Sequence, residues 1–134
     1  MKILFMCVAN SARSQLAEGL AKDIIGASAE IHSAGSLPTK VNPLAIEALK
    51  ELNIDISHNY SKLVDQLSPQ FLVSLDYVIT LCAEEVCPIL VSKAKKLHWP
   101  LPDPAGSKQK IELFRKTRDT LKEKLEIFKR EIGL

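Results

Sequence analysis

Two residues near the start of the chain, Cys7 and Arg13, could do chemistry together. Five residues, mostly small or polar, separate them. A cysteine thiolate is a nucleophile, and a guanidinium group is a planar fork that binds two oxygens of one anion. Taken alone the spacing is a weak signal, because a free cysteine is often an inert buried residue at a strand end. Its context, with a strand before and a helix after, predicts a sulfur atom that faces a bound oxyanion.

The segment between these two residues is predicted to turn from a strand into a helix. Such a turn exposes backbone N–H groups without helical partners, and the positive end of the helix dipole adds to their attraction for an anion. Small side chains let the backbone approach a ligand, and Asn10 suits a positive φ angle. The same surroundings favour the thiolate form of Cys7, to which Ser14 could donate a hydrogen bond. The predicted oxyanion-binding residues are Val8, Ala9, Asn10, Ser11, Ala12, Arg13 and Ser14.

A second candidate is Asp103, which lies among three prolines in the stretch HWPLPDPAG. Proline fixes φ and biases the preceding residue toward extended backbone, so the loop that carries Asp103 is stiff. A stiff loop after a strand could hold a carboxyl group over the anion as a general acid. By itself the pattern is better explained by a proline-rich turn that Asp103 caps.

The rest of the chain alternates between strand-like and helix-like patterns, which must position these residues. Strands are predicted over residues 2–8, 29–32, 77–81 and 96–99. Helices are predicted from about residue 16 up to Gly26, from the Asn42 N-cap to Leu52, and over residues 111–132. The long last helix could form a coiled coil, but its single apolar stripe favours packing on the sheet. This order predicts a parallel sheet with helices on both faces and a site beyond the carboxyl ends of the strands, where Cys7 lies.

Composition limits the other possibilities. A chain of 134 residues predicts one domain, residues 1–134, and a net charge of +2 argues against a nucleic-acid-binding surface. The first apolar run is too short for a signal peptide or a membrane span, so a cytoplasmic protein without a membrane partner is expected. Three cysteines cannot form a closed disulfide framework, so at least one is expected to be free, metal-bound or catalytic.

Several motifs together resemble the arsenate reductases built on the low-molecular-weight protein tyrosine phosphatase fold. They span nearly the whole chain and are CVANSARSQ from Cys7, Ser33-Ala-Gly35, Val41-Asn-Pro43, residues 82–87, and His98-Trp followed by Asp103-Pro104. The resemblance implies a three-layer αβα fold with a central four-stranded parallel sheet. It also implies that Cys7 is the nucleophile, Arg13 the anion clamp and Asp103 the general acid, while Asn10 and Ser14 organise the loop. Family members often carry glycine where this chain has Ala9, so an ordinary backbone angle is expected there.

Two further cysteines favour reductase over phosphatase chemistry. Cys82 and Cys87 follow the third predicted strand and so lie at the same sheet edge as Cys7. A phosphatase needs one thiolate, whereas a reductase must pass two electrons to arsenic and remove the oxidised sulfur. Sulfur chemistry and the resemblance imply a cascade in which a Cys7–Cys82 disulfide is followed by a Cys82–Cys87 disulfide. The implied partners are arsenate, phosphate or sulfate as competing anions, and thioredoxin or glutaredoxin with glutathione as reductant, for a protein expected to be a monomer.

Other interpretations of these cysteines remain open. A phosphotyrosine phosphatase would leave Cys82 and Cys87 as spectators, and a non-catalytic module would bind an oxyanion without turnover. A zinc site that includes His98 lacks a fourth ligand of suitable spacing, so no metal is expected. A disulfide across five residues fits neither a regular helix nor an extended strand, so residues 83–86 are expected to unwind when it forms.

The resemblance also implies a potassium ion near Asn10, Glu18 and Ser33 in some thioredoxin-coupled members. Lys62 stands where those members carry an acidic residue that helps to hold the ion. Because an ammonium group can take the place of the ion, we expect neither potassium nor another cofactor in this chain.

Overall fold

Four parallel strands form the central sheet of this computed structural model, which describes residues 1–83, 87–106 and 110–134. Their order across the sheet is β2-β1-β3-β4. The strands are β1 (Lys2–Cys7), β2 (Glu30–Gly35), β3 (Tyr77–Thr80) and β4 (Lys95–His98). The helices are α1 (Arg13–Ile24), α2 (Pro43–Lys50), α3 (Pro69–Val73) and α4 (Ile111–Glu131). The predicted parallel sheet with helices on both faces is confirmed.

The two faces of the sheet are covered differently. Successive residues of a strand point to opposite faces, so β1 sends Ile3 and Phe5 to one side and Leu4 and Met6 to the other. The first side packs against α1, α2 and α4, which form the larger core. The second side is covered by the short helix α3 and its neighbouring segments. Both faces of β1 are therefore buried, which explains why its sequence is apolar from Ile3 to Cys7.

The long C-terminal helix packs on the sheet, as its apolar stripe predicts. Phe114, Leu121 and Leu125 are fully buried. The ring of Phe128 meets those of Tyr77 and Trp99 at centroid distances of 5.0 and 5.7 Å. The stripe is thus occupied by intramolecular contacts. Among the described residues, no helix is long and apolar enough to cross a membrane.

Most element bounds lie within about three residues of the sequence-based prediction, and the largest differences concern β2 and α3. Strand β2 continues to Gly35, where Ser33, Ala34 and Gly35 pair with the last residues of β1. These small residues carry little strand propensity, and pairing with β1 decides their conformation. Helix α3 was not predicted, because five residues are too few to display an apolar period. Ser68 caps it by accepting a hydrogen bond from the Phe71 backbone N–H at 3.2 Å.

The order of the strands creates the crevice in which the candidate site lies. From β1 the chain passes to β2 on one side, and it then returns past β1 to β3 on the other. In open parallel sheets, ligands bind beyond the carboxyl ends of the strands where the order reverses in this way. Cys7 ends β1, and Cys82 follows β3 by two residues. The topology therefore places both cysteines beside the same crevice.

Candidate active site

The predicted nucleophile, Cys7, lies at the end of β1 and is a buried free cysteine. Its Sγ atom lies 2.8 Å from the Oγ atom of Ser14 in the first turn of α1. This contact agrees with the predicted hydrogen bond between the two side chains.

The loop after Cys7 turns its carbonyl groups outward. Three of them accept hydrogen bonds from backbone N–H groups of the segment after β2. The Val8 carbonyl accepts from Leu37 at 2.9 Å, the Ala9 carbonyl from Thr39 at 3.1 Å and the Ser11 carbonyl from Asn42 at 2.9 Å. Asn10 adopts a φ of 49°, in the left-handed region, whereas Ala9 has an ordinary negative φ. No described side chain caps the N-terminus of α1. Because these carbonyls face the segment after β2, the loop has the geometry in which backbone N–H groups can face an anion on the opposite side.

The Arg13 side chain is buried. Its Nη1 atom donates to the carbonyl of Leu101 at 3.0 Å and approaches the carbonyl of Leu81 at 3.5 Å. These carbonyls follow β4 and β3, so two strand ends fix the direction of the side chain. Arg13 is thereby held on the same sheet edge as Cys7.

Gly35 allows β2 to approach the loop closely. A Cβ atom at this position would collide with the Val8 carbonyl oxygen and lie 3.0 Å from both the Asn10 nitrogen and the Cys7 carbonyl oxygen. Its φ is not in the left-handed region, so the requirement for glycine here is space rather than backbone freedom. This explains the glycine in the Ser33-Ala-Gly35 motif.

A buried polar network lies beneath the loop. The Asn10 Nδ2 group donates to Ser14 Oγ at 2.7 Å and to Ser33 Oγ at 3.0 Å. The Ser33 hydroxyl in turn donates to Glu18 Oε1 at 2.7 Å. Asn10, Glu18 and Ser33, which the family resemblance places around a cation, are thus neighbours in one network.

Lys62 lies at the end of this network. Its Nζ atom is 3.9 Å from Glu18 Oε1 and 3.4 Å from the carbonyl oxygen of Tyr60. Burial lowers the pKa of Lys62 below its ordinary value, and the nearby Glu18 carboxylate opposes part of that shift. The Glu18 carboxylate thus lies between two lysines, Lys62 on one oxygen and Lys22, whose Nζ atom is 3.0 Å from the other.

Asp103 lies on the predicted proline-rich loop after β4. Its Oδ1 atom accepts a hydrogen bond from the Ala105 backbone N–H at 2.9 Å, which is the capping role considered for it. The same residue lines an open cleft of about 670 Å³ that also borders Ser11 of the oxyanion loop and Lys40. The capping role and a position beside the loop are therefore compatible.

Cys82 and Cys87 form a disulfide with Cα atoms 5.4 Å apart, while Cys7 is free. The two sulfurs are bonded to each other, so in this state neither is a thiolate that could bind zinc. Cys82 is buried and Cys87 is partly exposed. The predicted unwinding concerns residues 83–86, of which residues 84–86 lie outside the described residues.

Three residues of the site were missed by the sequence analysis. Gln15 is fully buried and donates through Nε2 to the backbone and side-chain oxygens of Asn10, at 3.1 and 3.2 Å. Ser61 Oγ donates to the Asn10 carbonyl at 2.6 Å. Asn59 Nδ2 donates to Gln15 Oε1 at 3.0 Å. Gln15 could have been found in the sequence, because it is a polar residue on the buried side of α1. Nothing in the sequence distinguishes Asn59 or Ser61.

A parallel α/β protein with a cysteine, a strand-to-helix loop that contains a left-handed residue and a buried arginine at one sheet edge defines a class, the cysteine-based oxyanion enzymes. The chain belongs to the low molecular weight phosphotyrosine protein phosphatase family, whose pattern matches residues 2–133. It is 47% identical over 129 residues to an arsenate reductase of Staphylococcus xylosus, with 95% of each chain covered.

Solved structures extend this comparison. One is an arsenate reductase in the phosphate-binding state, with a TM-score of 0.80, 33% identity and 98% of both chains covered. Another is a thioredoxin-dependent arsenate reductase of Corynebacterium glutamicum, with a TM-score of 0.70 and 32% identity over 97% of this chain and 62% of that one. The similarity therefore covers the sheet, the loop and the cysteine-bearing segments alike.

Proposed function

We propose that this chain reduces arsenate to arsenite, with Cys7 as nucleophile and Cys82 and Cys87 as the redox pair. The observation that carries the proposal is the Cys82–Cys87 disulfide at the sheet edge where the free Cys7 thiol lies. Phosphoryl transfer to a thiolate needs no second sulfur. Reduction of arsenic(V) to arsenic(III) needs two electrons, which two thiols supply when they form a disulfide. Similarity to proteins named arsenate reductase supports the same conclusion.

The first step forms a bond between sulfur and arsenic. The Cys7 thiolate attacks arsenate while Arg13 and the loop N–H groups hold its oxygens. The departing oxygen takes a proton from Asp103 and leaves as water, which gives a Cys7–arsenic(V) adduct. The N–H groups act here as preorganised donors toward the negative charge that develops on the oxygens.

The second step transfers the electrons. The Cys82 thiolate attacks the Cys7 sulfur, the sulfur–arsenic bond breaks, and its electron pair stays with arsenic as arsenite leaves. Cys87 then attacks Cys82 of the Cys7–Cys82 disulfide and releases the Cys7 thiolate. The products are a Cys82–Cys87 disulfide and a free Cys7, the state seen here.

The disulfide must then be reduced by an external dithiol, for which we propose thioredoxin or glutaredoxin with glutathione. Cys87 is the more exposed of the two bridged cysteines, and Ile89 and Val91 expose apolar surface nearby. A dithiol protein is suited to such a site, because it can contact the apolar surface while its thiolate attacks the disulfide. All three cysteines of one cycle lie in one chain, which supports action as a monomer, and the need for a reducing compartment supports a cytoplasmic location.

Phosphotyrosine hydrolysis is the alternative that the family itself suggests. It would use Cys7, Arg13 and Asp103 and leave the other two cysteines without a role. The disulfide favours the reductase, because a phosphatase cycle never oxidises these sulfurs.

A single-turnover measurement tests the proposal. Fully reduced protein is mixed with arsenate, without external reductant, and arsenite and free thiols are counted. We expect about one arsenite per chain and a Cys82–Cys87 disulfide as the product. Cys87→Ser should still release arsenite but stop as a Cys7–Cys82 disulfide, whereas Cys7→Ser and Cys82→Ser should release none.

Addition of thioredoxin or glutaredoxin in separate arms should then restore many turnovers of the unmodified protein. Full arsenate turnover by the Cys82→Ser, Cys87→Ser double variant would contradict the cascade. Release of phosphate from a phosphotyrosine peptide, with no arsenite formed from arsenate, would favour the phosphatase.

A further inference from the structure

The conformation of the oxyanion loop depends on one residue, Asn10. Its left-handed φ of 49° lies in a sparsely populated region for a residue with a side chain. A residue of this kind between right-handed neighbours makes successive N–H groups converge on one point, which creates an anion-binding concavity. Such a conformation persists only where the surroundings hold it. The contacts of Asn10 therefore decide whether the loop is ready for an anion before one arrives.

Asn10 is held differently from its neighbours. The carbonyls of Val8, Ala9 and Ser11 accept backbone N–H groups, which any sequence would provide. The carbonyl of Asn10 accepts from two side chains instead, Gln15 Nε2 and Ser61 Oγ. The hold on this residue is therefore specified by side-chain identity.

The Gln15 side chain contacts Asn10 at two atoms. Its side chain is completely buried, and its Nε2 group reaches the backbone oxygen of Asn10 at 3.1 Å, its Oδ1 atom at 3.2 Å and the Tyr60 carbonyl at 3.2 Å. All three atoms are acceptors, so the orientation of the amide is determined by its surroundings. One amide group thus ties the main chain and the side chain of Asn10 to the segment at Tyr60.

Asn59 fixes the other end of this amide. Its Nδ2 group donates to Gln15 Oε1 at 3.0 Å and to Glu18 Oε2 at 3.2 Å. Gln15 Oε1 is therefore occupied by a donor, and its Nε2 group has to face Asn10. The chain of contacts runs from the Glu18 carboxylate through Asn59 and Gln15 to Asn10.

We propose that Gln15 is a positioning residue that holds Asn10 in its left-handed conformation and so keeps the oxyanion loop in its anion-binding form. Asn10 in turn donates to Ser14 Oγ, which contacts the Cys7 sulfur, so loss of Gln15 would disturb both the anion cradle and the contact at the nucleophile. The proposal rests on the oxyanion-binding part of the proposed function and is independent of arsenate reduction.

The test uses inorganic phosphate to protect Cys7 from alkylation in the full-length protein, with melting temperatures measured in parallel. Gln15→Met keeps the volume but removes both donor hydrogens, and we expect the protection constant for phosphate to weaken about tenfold. Asn59→Ala, at a half-buried position, keeps Gln15 but removes the hydrogen bond to its Oε1 atom. We expect the protection constant for phosphate to weaken roughly threefold in this variant. The control is Leu16→Met, a volume-conserving change at the next buried position of α1, which should alter stability without altering protection.

The outcomes separate the proposals. Weaker protection in Gln15→Met and Asn59→Ala, with Leu16→Met unchanged, supports the positioning role, and Asn59→Ala decides alone if Gln15→Met does not fold. Unchanged protection in the folded variants, or equal weakening in Leu16→Met, overturns it. If phosphate fails to protect Cys7 of the unmodified protein, the proposed anion site is itself wrong and the role of Gln15 falls with it.

Discussion

The Cys7 sulfur lies 2.8 Å from the Oγ atom of Ser14, and either atom can donate the hydrogen bond between them. The Asn10 Nδ2 group donates its two hydrogen bonds to the hydroxyl oxygens of Ser14 and Ser33, and the Ser33 hydroxyl donates to Glu18. Ser14 Oγ thus already accepts a hydrogen bond, and its own hydrogen can point to the sulfur 2.8 Å away. The network therefore leaves Ser14 able to donate to the Cys7 sulfur, which is the direction that a thiolate acceptor requires.

Ser14→Ala tests this direction. We expect alkylation of Cys7 at pH 6 to slow about tenfold, because the thiolate loses a charge-assisted hydrogen bond. The matched control is Ser28→Ala at an exposed position after α1, which should react like the unmodified protein. Equal alkylation rates for all three proteins would contradict the assigned direction of the hydrogen bond.

Gly35→Ala tests the close approach of β2 to the loop. The added methyl group would meet three backbone atoms of residues 7, 8 and 10, which cannot move aside as a flexible side chain could. We expect phosphate binding, measured by calorimetry, to weaken roughly tenfold or more as the loop is displaced. Gly106→Ala, whose Cβ would lie 3.6 Å from the nearest heavy atom, should bind phosphate normally.

Asp103→Asn tests the proposed general acid. Formation of the Cys7–arsenic adduct should slow about a hundredfold, because help from an acid is felt in the transition state. Phosphate affinity should change little, and stopped-flow and binding measurements together separate the two effects. Asp23→Asn, on the exposed part of α1, serves as the control. An unchanged rate with weaker binding would assign Asp103 to anion binding instead.

The position of Lys62 leads to a prediction about the effect of potassium and sodium on turnover. Because its ammonium group stands 3.9 Å from Glu18, arsenate turnover should be nearly equal in potassium and sodium chloride at the same ionic strength. Lys62→Asp removes this charge and adds a carboxylate beside Glu18, so turnover should then rise with potassium. A large potassium-specific gain in the unmodified protein would show that Lys62 does not replace a cation.

The lowered pKa of Glu51 leads to a prediction about how stability depends on pH. Hydrogen bonds from Arg115 at 2.6 Å and Arg118 at 2.7 Å lower the pKa of Glu51 from 4.5 to about 2. A carboxyl group whose pKa is lowered by folding stabilises the protein at pH values above its pKa in the unfolded chain. This contribution is lost as the pH falls through the pKa of the group in the folded protein.

Glu51→Gln should therefore lower the melting temperature near pH 7, and the difference from the unmodified protein should shrink between pH 4.5 and about 2. Glu126→Gln, at an exposed position of α4, is the control and should show little difference at either pH. A Glu51→Gln difference that does not depend on pH would contradict the ion-pair explanation.

The sequence alone determined the order of the four strands and the three longer helices and the candidate residues Cys7, Arg13, Asp103, Cys82 and Cys87. These features can be predicted from the sequence because they depend on the chemistry of neighbouring residues in the chain. A doubly buried strand must be apolar, as residues 3–7 are, and a loop that turns into a helix must leave N–H groups unpaired. The positive φ of Asn10 was also predicted, since asparagine tolerates that region.

The tertiary structure decided what holds those residues in place. Gln15, Asn59 and Ser61 are ordinary polar residues in the sequence, and they matter because folding brings residues 59–61 against the oxyanion loop. Gly35 is needed because β2 packs against the Val8 carbonyl, and residues 33–35 form a strand because β1 pairs with them. Hydrogen bonds between segments far apart in the chain carry no local signature, so only the packed structure determines which polar side chains they join.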